Sequence, residues 1–163
     1  NVSSKQFSRA ATVEEVARVL EETQLDPRCL KLEITESGIM ENAEVSVKLL
    51  GGLKDMRIRL SIDDFGTGYS SLAYLPRFPF DYLKVDQSFV MSMEDQPENR
   101  EIVKTIVSLA HGLDKEVIAE GIETEPQLAR LRGLGCEFGQ GYLFAKPLPP
   151  GEAEEMLRRN PRW

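Results

Sequence analysis

The chain has 163 residues and a formal net charge of −7, with 41% hydrophobic and 29% charged residues. This composition is typical of a soluble globular domain, and the acidic balance excludes binding of long nucleic acid through a basic surface. No apolar run approaches the roughly 20 residues of a membrane helix, so we expect no membrane contact by this segment.

The two cysteines, Cys29 and Cys136, are too few and too far apart for a disulfide framework or a thiolate metal site. We predict that both are reduced core thiols. This indicates a cytoplasmic protein, or the cytoplasmic part of a membrane-anchored one.

Periodicity and capping residues predict helices that alternate with strands along the chain. The first helix begins at a capping box of Thr12 and Glu15 and ends before Asp26. The predicted helices cover residues 12–24, 42–56, 71–75, 102–113 and 124–134, with a final one to residue 159. The predicted strands cover residues 30–36, 57–62, 81–86, 115–120 and 138–145, and residues 92–99 are expected to form a surface loop. This alternation predicts an α/β fold with a parallel sheet, either open or closed into a barrel.

Strand parity places ionisable side chains on the sheet face that lies opposite the covering helices. In a barrel that face is the lumen, and its C-terminal mouth is where such enzymes react. The residues expected to meet there are Glu33, Asp63, Asp64, Asp86 and Glu120, together with Lys84. Glu36 and Glu123 follow one short step beyond the strand ends. So many carboxylates beside one ammonium cannot all stay ionised without cations.

Oxygen ligands without a neighbouring Cys or His favour Mg²⁺, Mn²⁺ or Ca²⁺ over zinc or copper. The carboxylates suffice for two ions, and a two-ion site indicates phosphoester hydrolysis by a metal-activated water. A structural ion site or salt-bridge network is one alternative, and chance placement is another. The single histidine, His111, precedes Gly112 in a helical pattern, so we interpret it as a helix-end residue rather than a catalytic base.

Six motifs occur in order and cover nearly the whole chain, at residues 1–3, 32–37, 63–72, 78–90, 119–124 and 139–148. Together they resemble the EAL-domain phosphodiesterases of bacterial cyclic di-GMP signalling. The resemblance implies a TIM-type (β/α)8 barrel in which one strand runs antiparallel. It also implies hydrolysis of cyclic di-GMP to the linear dinucleotide pGpG with two Mg²⁺ or Mn²⁺ ions, and inhibition by Ca²⁺.

The resemblance further implies roles for individual residues. The implied metal ligands are Asn1, Glu33, Asp63, Asp64 and Glu120, with Asp63 between the two ions. The implied catalytic residues are Lys84, which would hold and help activate the attacking water, Asp86 and Glu120. Implied substrate-binding or supporting residues are Glu36, Glu123 and Gln140. The segment implied to link the metal site to a dimer interface begins with Phe65, Gly66, Thr67 and Gly68, and Glu36 anchors it.

The motif that names the family, whose Glu is a metal ligand, is absent from the chain. We therefore expect residues 1–163 to form a single partial EAL domain, from the end of the third barrel strand to the C-terminus, with uncertain activity alone. The implied partners are cyclic di-GMP, a second copy in a homodimer, and N-terminal sensor or diguanylate cyclase-like domains. Two alternatives stay open: a degenerate domain that binds cyclic di-GMP without hydrolysis, and a regulatory domain without a ligand.

Overall fold

The computed structural model describes residues 1–7, 11–68 and 72–161, which form a parallel β-sheet covered by helices. The strands in these residues are β1 (Lys31–Thr35), β2 (Arg59–Phe65), β3 (Tyr82–Val85), β4 (Glu116–Ala119) and β5 (Phe138–Gly139). The α-helices in the same residues are α1 (Ser4–Phe7), α2 (Ala11–Thr23), α3 (Glu36–Met40), α4 (Ala43–Asp55), α5 (Gln87–Ser92), α6 (Pro97–Gly112), α7 (Glu125–Gly133) and α8 (Pro150–Arg159). None of the helices in these ranges is both long enough and apolar enough to cross a bilayer.

The five strands lie in the sheet in sequence order, and each neighbouring pair is parallel. A doubly wound sheet reverses its order at a switch point, so this singly wound order is that of a (β/α) barrel. Val2 extends the sheet beyond β1: it bridges Ile34 in parallel and donates its N–H to the Glu33 carbonyl at 2.8 Å. The predicted α/β fold with a parallel sheet is confirmed. The antiparallel strand implied by the resemblance is not among the strands of the described ranges.

The hydrophobic core lies between the sheet and the helices that follow each strand. The core residues that the strands contribute at 2% exposure or less are Ile34, Leu60, Ile62, Leu83, Val85, Val117 and Ala119. Those contributed by the helices include Leu50, Leu53, Val103, Ala110 and Leu131. Burying one such aliphatic side chain contributes roughly 1.5–3 kcal/mol, so this layer fixes the sheet. The opposite strand face carries the polar side chains of Ser61, Asp63 and Lys84, together with Tyr82 and Ile118, which lie outside this core.

Side-chain caps begin two of the predicted helices. Asn42 accepts the N–H of Val45 at the start of α4, and Thr124 and Gln127 form the predicted capping box of α7. The predicted capping box at Thr12 is wrong, because α2 already begins at Ala11. The Thr12 hydroxyl donates instead to the Gln6 carbonyl.

Several short elements differ from the sequence prediction. β5 ends at Gly139 instead of residue 145, because the chain turns over Ile122, where a Cβ on Gly141 would lie 2.1 Å from the Ile122 carbonyl oxygen.

Residues 72–74 form a turn before the 3₁₀ helix Leu75–Arg77, and residue 71 of the predicted helix lies outside the described ranges. The predicted loop 92–99 is shorter in the structure and covers residues 93–96, since α5 ends at Ser92 and α6 begins at Pro97. The sequence pattern does not predict helices α1, α3 and α5, because 4 to 6 residues show too little helical periodicity.

The cysteines and the histidine occupy different environments. Cys29 is exposed at the end of the 3₁₀ helix Pro27–Cys29, so the prediction that it is a core thiol is wrong. Cys136 is partly buried, and burial raises the pKa of its thiol to about 11. His111 lies in the last turn of α6, as predicted, with Nε2 2.9 Å from Oε1 of Glu137.

Candidate active site

Lys84 lies at the centre of the polar face of the sheet and is only 3% exposed. Its ammonium is 2.9 Å from Oε2 of Glu33 on β1, 2.9 Å from Oδ1 of Asp63 on β2 and 2.5 Å from Oε1 of Glu120 after β4. Burial opposes the charge of Lys84, but the hydrogen bonds to Glu120, Glu33 and Asp63 outweigh it and raise the Lys84 pKa above its ordinary value. The Lys84 ammonium is therefore placed as a hydrogen-bond donor to three carboxylates.

A bulge near the end of β2 brings a second carboxylate into this group. The β2–β3 register shifts between Ile62 and Phe65, and Asp64 adopts a left-handed backbone with a φ of 54°. Regular strand alternation would send the side chains of Asp63 and Asp64 to opposite faces. Instead, one carboxylate oxygen from each of Asp63, Asp64 and Glu120 lies within 4.8 Å of the others. Asp is among the few residues that tolerate this conformation.

The electrostatics of these three carboxylates favour a cation. Burial raises the pKa of Asp64, the charges of Asp63 and Asp86 raise it further, and Lys84 opposes them. Burial also raises the pKa of Glu120, against the hydrogen bond and charge of Lys84. A hard divalent cation relieves such crowding, and an all-carboxylate donor set suits Mg²⁺ or Mn²⁺ better than zinc. The residues present therefore fit a divalent metal ion.

Gln140 fixes the position of Glu120 from the neighbouring chain segment. Its side-chain amide donates to Oε1 of Glu120 at 2.7 Å, the oxygen that also contacts Lys84. Backbone bonds hold Gln140 there, since its N–H donates to the Ala119 carbonyl and its carbonyl accepts from Ile122. Glu120 is thus constrained by two donors.

Glu36 is the first residue of α3, and its side chain binds the loop that follows β2. Its side chain is buried, and Oε2 accepts the N–H of Gly66 at 2.8 Å. Burial raises the pKa of Glu36, while backbone hydrogen bonds from Gly66 and Gly68 oppose that rise. Gly66 has a φ of +94°, and a Cβ there would lie 3.1 Å from Phe89 on α5 and 3.2 Å from Ile106 on α6. Residues 69–71 of this predicted motif lie outside the described ranges.

Among the described residues, no hydrogen bond or ion pair joins the other predicted residues, Asp86, Asn1 and Glu123, to Lys84 and its three carboxylates. Asp86 caps α5, with Oδ1 accepting the Ser88 N–H at 2.9 Å. Asn1 is exposed and lines a cavity of about 330 Å³ between β1 and α2. Glu123 is exposed, and its side chain lines a cavity of about 500 Å³ that Glu120 and Gln140 also line.

That larger cavity includes side chains which the sequence analysis did not assign to the site. They include Met91, Tyr142 and Lys146. One signal pointed to Tyr142, because strand parity places it on the same face as Gln140. Lys146 lies within the motif at residues 139–148, but neither it nor Met91 showed a pattern that pointed to this cavity.

Comparison with known proteins shows close relatives over nearly the whole chain. The family model described as "EAL domain" matches residues 1–147. Cyclic di-GMP phosphodiesterase NbdA of Pseudomonas aeruginosa is 48% identical over 158 residues, which are 97% of this chain and 20% of NbdA. The chain therefore spans about a fifth of that curated relative.

Two solved structures share the fold. A phosphodiesterase named PaMucR, in complex with c-di-GMP, superposes with a TM-score of 0.91 at 42% identity, over 94% of this chain and 62% of that chain. The EAL domain of Mycobacterium smegmatis DcpA has a TM-score of 0.91 at 37% identity, over 100% of this chain and 73% of that chain.

Proposed function

The chain belongs to the EAL domain family, and from this premise we propose that it is the catalytic part of a cyclic di-GMP phosphodiesterase that produces linear pGpG. The observation that carries the proposal is the meeting of Glu33, Asp63 and Glu120 around Lys84. Such a group supplies both metal ligands and a hydrogen-bond donor, which hydrolysis of a phosphodiester requires. The names of NbdA and of the c-di-GMP complex of PaMucR support the choice of substrate.

Asp63, Asp64 and Glu120 would hold Mg²⁺ or Mn²⁺, with Glu33 and Asn1 as further ligands and Asp63 shared between two ions. Such ions, when bound, lower the pKa of a water molecule and neutralise charge on the phosphodiester. We propose that Ca²⁺ binds the same carboxylates and inhibits.

Lys84, Glu120 and Gln140 each have a separate role in the proposed hydrolysis. Protonated Lys84 donates a hydrogen bond that positions the attacking water, and the Glu120 carboxylate accepts the proton that the water loses. The water oxygen bonds to phosphorus and the bond from phosphorus to the ribose O3′ breaks, so O3′ takes up a proton and a 5′-phosphate remains. Gln140 keeps Glu120 oriented during this step. Asp86 and Glu123 support the pocket from α5 and from the loop after β4.

We propose that the loop beginning with Phe65, Gly66, Thr67 and Gly68 connects this site to a homodimer interface through Glu36. Hydrogen bonding of Gly66 to Glu36, and packing of Gly66 on α5 and α6, support that connection. Size-exclusion chromatography with light scattering tests the dimer directly.

The test is turnover of cyclic di-GMP followed by chromatography of the products. It uses this chain and, in parallel, the protein with whatever residues precede Asn1 in its gene. We expect pGpG with Mn²⁺ or Mg²⁺ and none with EDTA or Ca²⁺, and we expect Glu120→Gln to lose activity. Binding without pGpG in both forms would indicate a receptor instead. No binding would indicate a regulatory domain that acts through its surface.

A further inference from the structure

The segment between β4 and α7 carries Glu120, so the course of its backbone decides where the Glu120 carboxylate lies. The N–H of Glu120 donates to the Val85 carbonyl on β3 at 3.2 Å. Two residues later, the N–H of Ile122 donates to the Gln140 carbonyl at 3.1 Å. These two bonds hold the first half of the segment against β3 and against the chain that follows β5.

Gln127 holds the second half of this segment with a single side-chain atom. Its Oε1 accepts the N–H of Glu123 at 2.8 Å and the N–H of Thr124 at 3.0 Å. Gln127 lies in the first turns of α7 and is only 5% exposed. Both hydrogen bonds are partly buried, and a buried donor that loses its acceptor costs roughly 1–3 kcal/mol. Without this oxygen, we therefore expect the segment to move until its N–H groups find other acceptors.

Ile122 couples the position of this segment to the carboxylate group. It is 1% exposed, and its carbonyl accepts the N–H of Leu143 at 3.0 Å. The chain packs so closely there that a Cβ on Gly139 would lie 2.6 Å from Cδ1 of Ile122. Gln140, which binds the Ile122 N–H through its carbonyl, donates its side-chain amide to Oε1 of Glu120 at 2.7 Å. A shift of the segment would therefore displace both Glu120 and the residue that orients it.

We propose that Gln127 is a positioning residue for the carboxylate group, which sets the Mn²⁺ affinity and the turnover by holding the backbone that carries Glu120. Gln127 itself belongs neither to the carboxylate group nor to the lining of the cavity beside it. The inference rests on the proposed function, because it takes these carboxylates as metal ligands. It gives the capping residue of α7 a role in the chemistry, beyond its role in the helix.

The test measures Mn²⁺ affinity by calorimetry after treatment with EDTA and dialysis, so that it does not depend on turnover. Gln127→Met keeps the length of the side chain but has no acceptor, and it should weaken Mn²⁺ binding about tenfold or more. Gln127→Glu keeps an acceptor oxygen at the same reach, near a helix N-terminus that favours a carboxylate, so its affinity should stay within about threefold. With saturating Mn²⁺, Gln127→Met should lower kcat about tenfold and change KM by less than about threefold.

Thr124→Val is the matched control, because it alters the same capping box at its other bond. It removes the bond from the Gln127 N–H to Oγ1 of Thr124 at 3.4 Å and leaves Oε1 of Gln127 in place. This variant should lower the free energy of unfolding by about 1 kcal/mol and leave the Mn²⁺ affinity unchanged. Equal weakening of Mn²⁺ binding in Thr124→Val and Gln127→Met would mean that both act through the stability of α7, and would overturn the inference.

Unchanged Mn²⁺ affinity in folded Gln127→Met would also overturn it. If Gln127→Met does not fold, Gln127→Asn takes its place, since the side chain is one methylene shorter and withdraws the oxygen from both N–H groups. The Mn²⁺ affinity of Gln127→Asn should fall in the same way, and an unchanged value would overturn the inference. Weaker Mn²⁺ binding without hydrolysis by any form would overturn only the proposed reaction. No Mn²⁺ binding by the unmodified protein would overturn the metal site and the role of Gln127 together.

Discussion

Asp63 and Asp64 are consecutive residues of β2, yet one carboxylate oxygen of each lies within 4.8 Å of the other. The φ of 54° at Asp64 and the bulge beside it make this approach possible. The end of β2 therefore carries two neighbouring carboxylates. Position 64 consequently needs both a carboxylate and a residue that tolerates a left-handed backbone.

The backbone requirement at position 64 can be separated from the charge. Asp64→Asn keeps a side chain that tolerates the left-handed region, so it should be at least as stable as the unmodified protein in EDTA. Asp64→Ala should be less stable than Asp64→Asn by about 1 kcal/mol. Urea unfolding gives both values, and equal stability of the two variants would contradict the role of the backbone. Both variants should bind Mn²⁺ more weakly, because a ligand is lost.

Lys84→Met should destabilise the protein in EDTA by about 3 kcal/mol, because three carboxylates would keep their charges without a partner. Mn²⁺ should restore part of this loss, since a cation that binds only the folded state stabilises it. Unfolding in urea with and without Mn²⁺ is the measurement.

Lys54→Met is the control for that ion-pair variant. Lys54 pairs with Asp81 at 2.7 Å, and both side chains are 31% exposed. The Lys54→Met substitution should lower the free energy of unfolding by about 1 kcal/mol or less, and Mn²⁺ should not specifically restore that loss. An equal Mn²⁺ effect in both variants would show that the cation acts elsewhere.

Glu36 makes the stability depend on pH. Burial raises the pKa of Glu36 above its ordinary value of 4.5, so the folded protein keeps a proton that the unfolded chain has lost. This contribution to the free energy of unfolding is complete below pH 4.5 and falls as the pH rises through the folded pKa. Glu36→Gln has no proton to lose, so its stability relative to the unmodified protein should increase as the pH rises above 4.5. Denaturant unfolding at several pH values tests this, and parallel curves would contradict it.

Gly121 cannot be replaced without moving the site. Its φ is +69°, and a Cβ would lie 2.7 Å from Cβ of Gln87, the residue after Asp86. Gly121→Ala should cost about 2 kcal/mol or more and should reduce hydrolysis, because Glu120 shifts with it. Gly51→Ala is the matched control: nothing lies within 4 Å of the added Cβ inside α4, so it should stabilise by about 1 kcal/mol. Thermal unfolding compares the two, and a neutral Gly121→Ala would contradict the close packing.

The two thiols should differ in reactivity. Burial raises the pKa of Cys136 to about 11, so at pH 8 about one molecule in a thousand has the Cys136 thiolate. Cys29 is exposed. Iodoacetamide at pH 8 should label Cys29 rapidly and Cys136 at least about 100-fold more slowly, as followed by peptide mass spectrometry. Comparable rates would show that the β4–β5 region opens readily.

Strand parity in the sequence predicts which distant residues meet on one face of the sheet, but it does not predict the local backbone geometry there. Parity alone predicts that Glu33, Asp63 and Lys84 share a face, because side chains alternate along regular strands. The expectation that Asp64 joins them rests on its place at the strand end, because parity would send it to the other face; its approach depends on a bulge with one left-handed residue. The early end of β5 escaped prediction for a related reason, because the contact of Gly141 with Ile122 arises only in the folded chain.

The buried ammonium of Lys84 has a consequence for how the protein matures. A positive charge that is covalently part of the chain cannot be removed by a chelator or by metal starvation, so the acidic rim can assemble during synthesis before any ion arrives. We therefore expect the chain to stay folded when a chelator removes the ion, and to bind Mn²⁺ again without refolding.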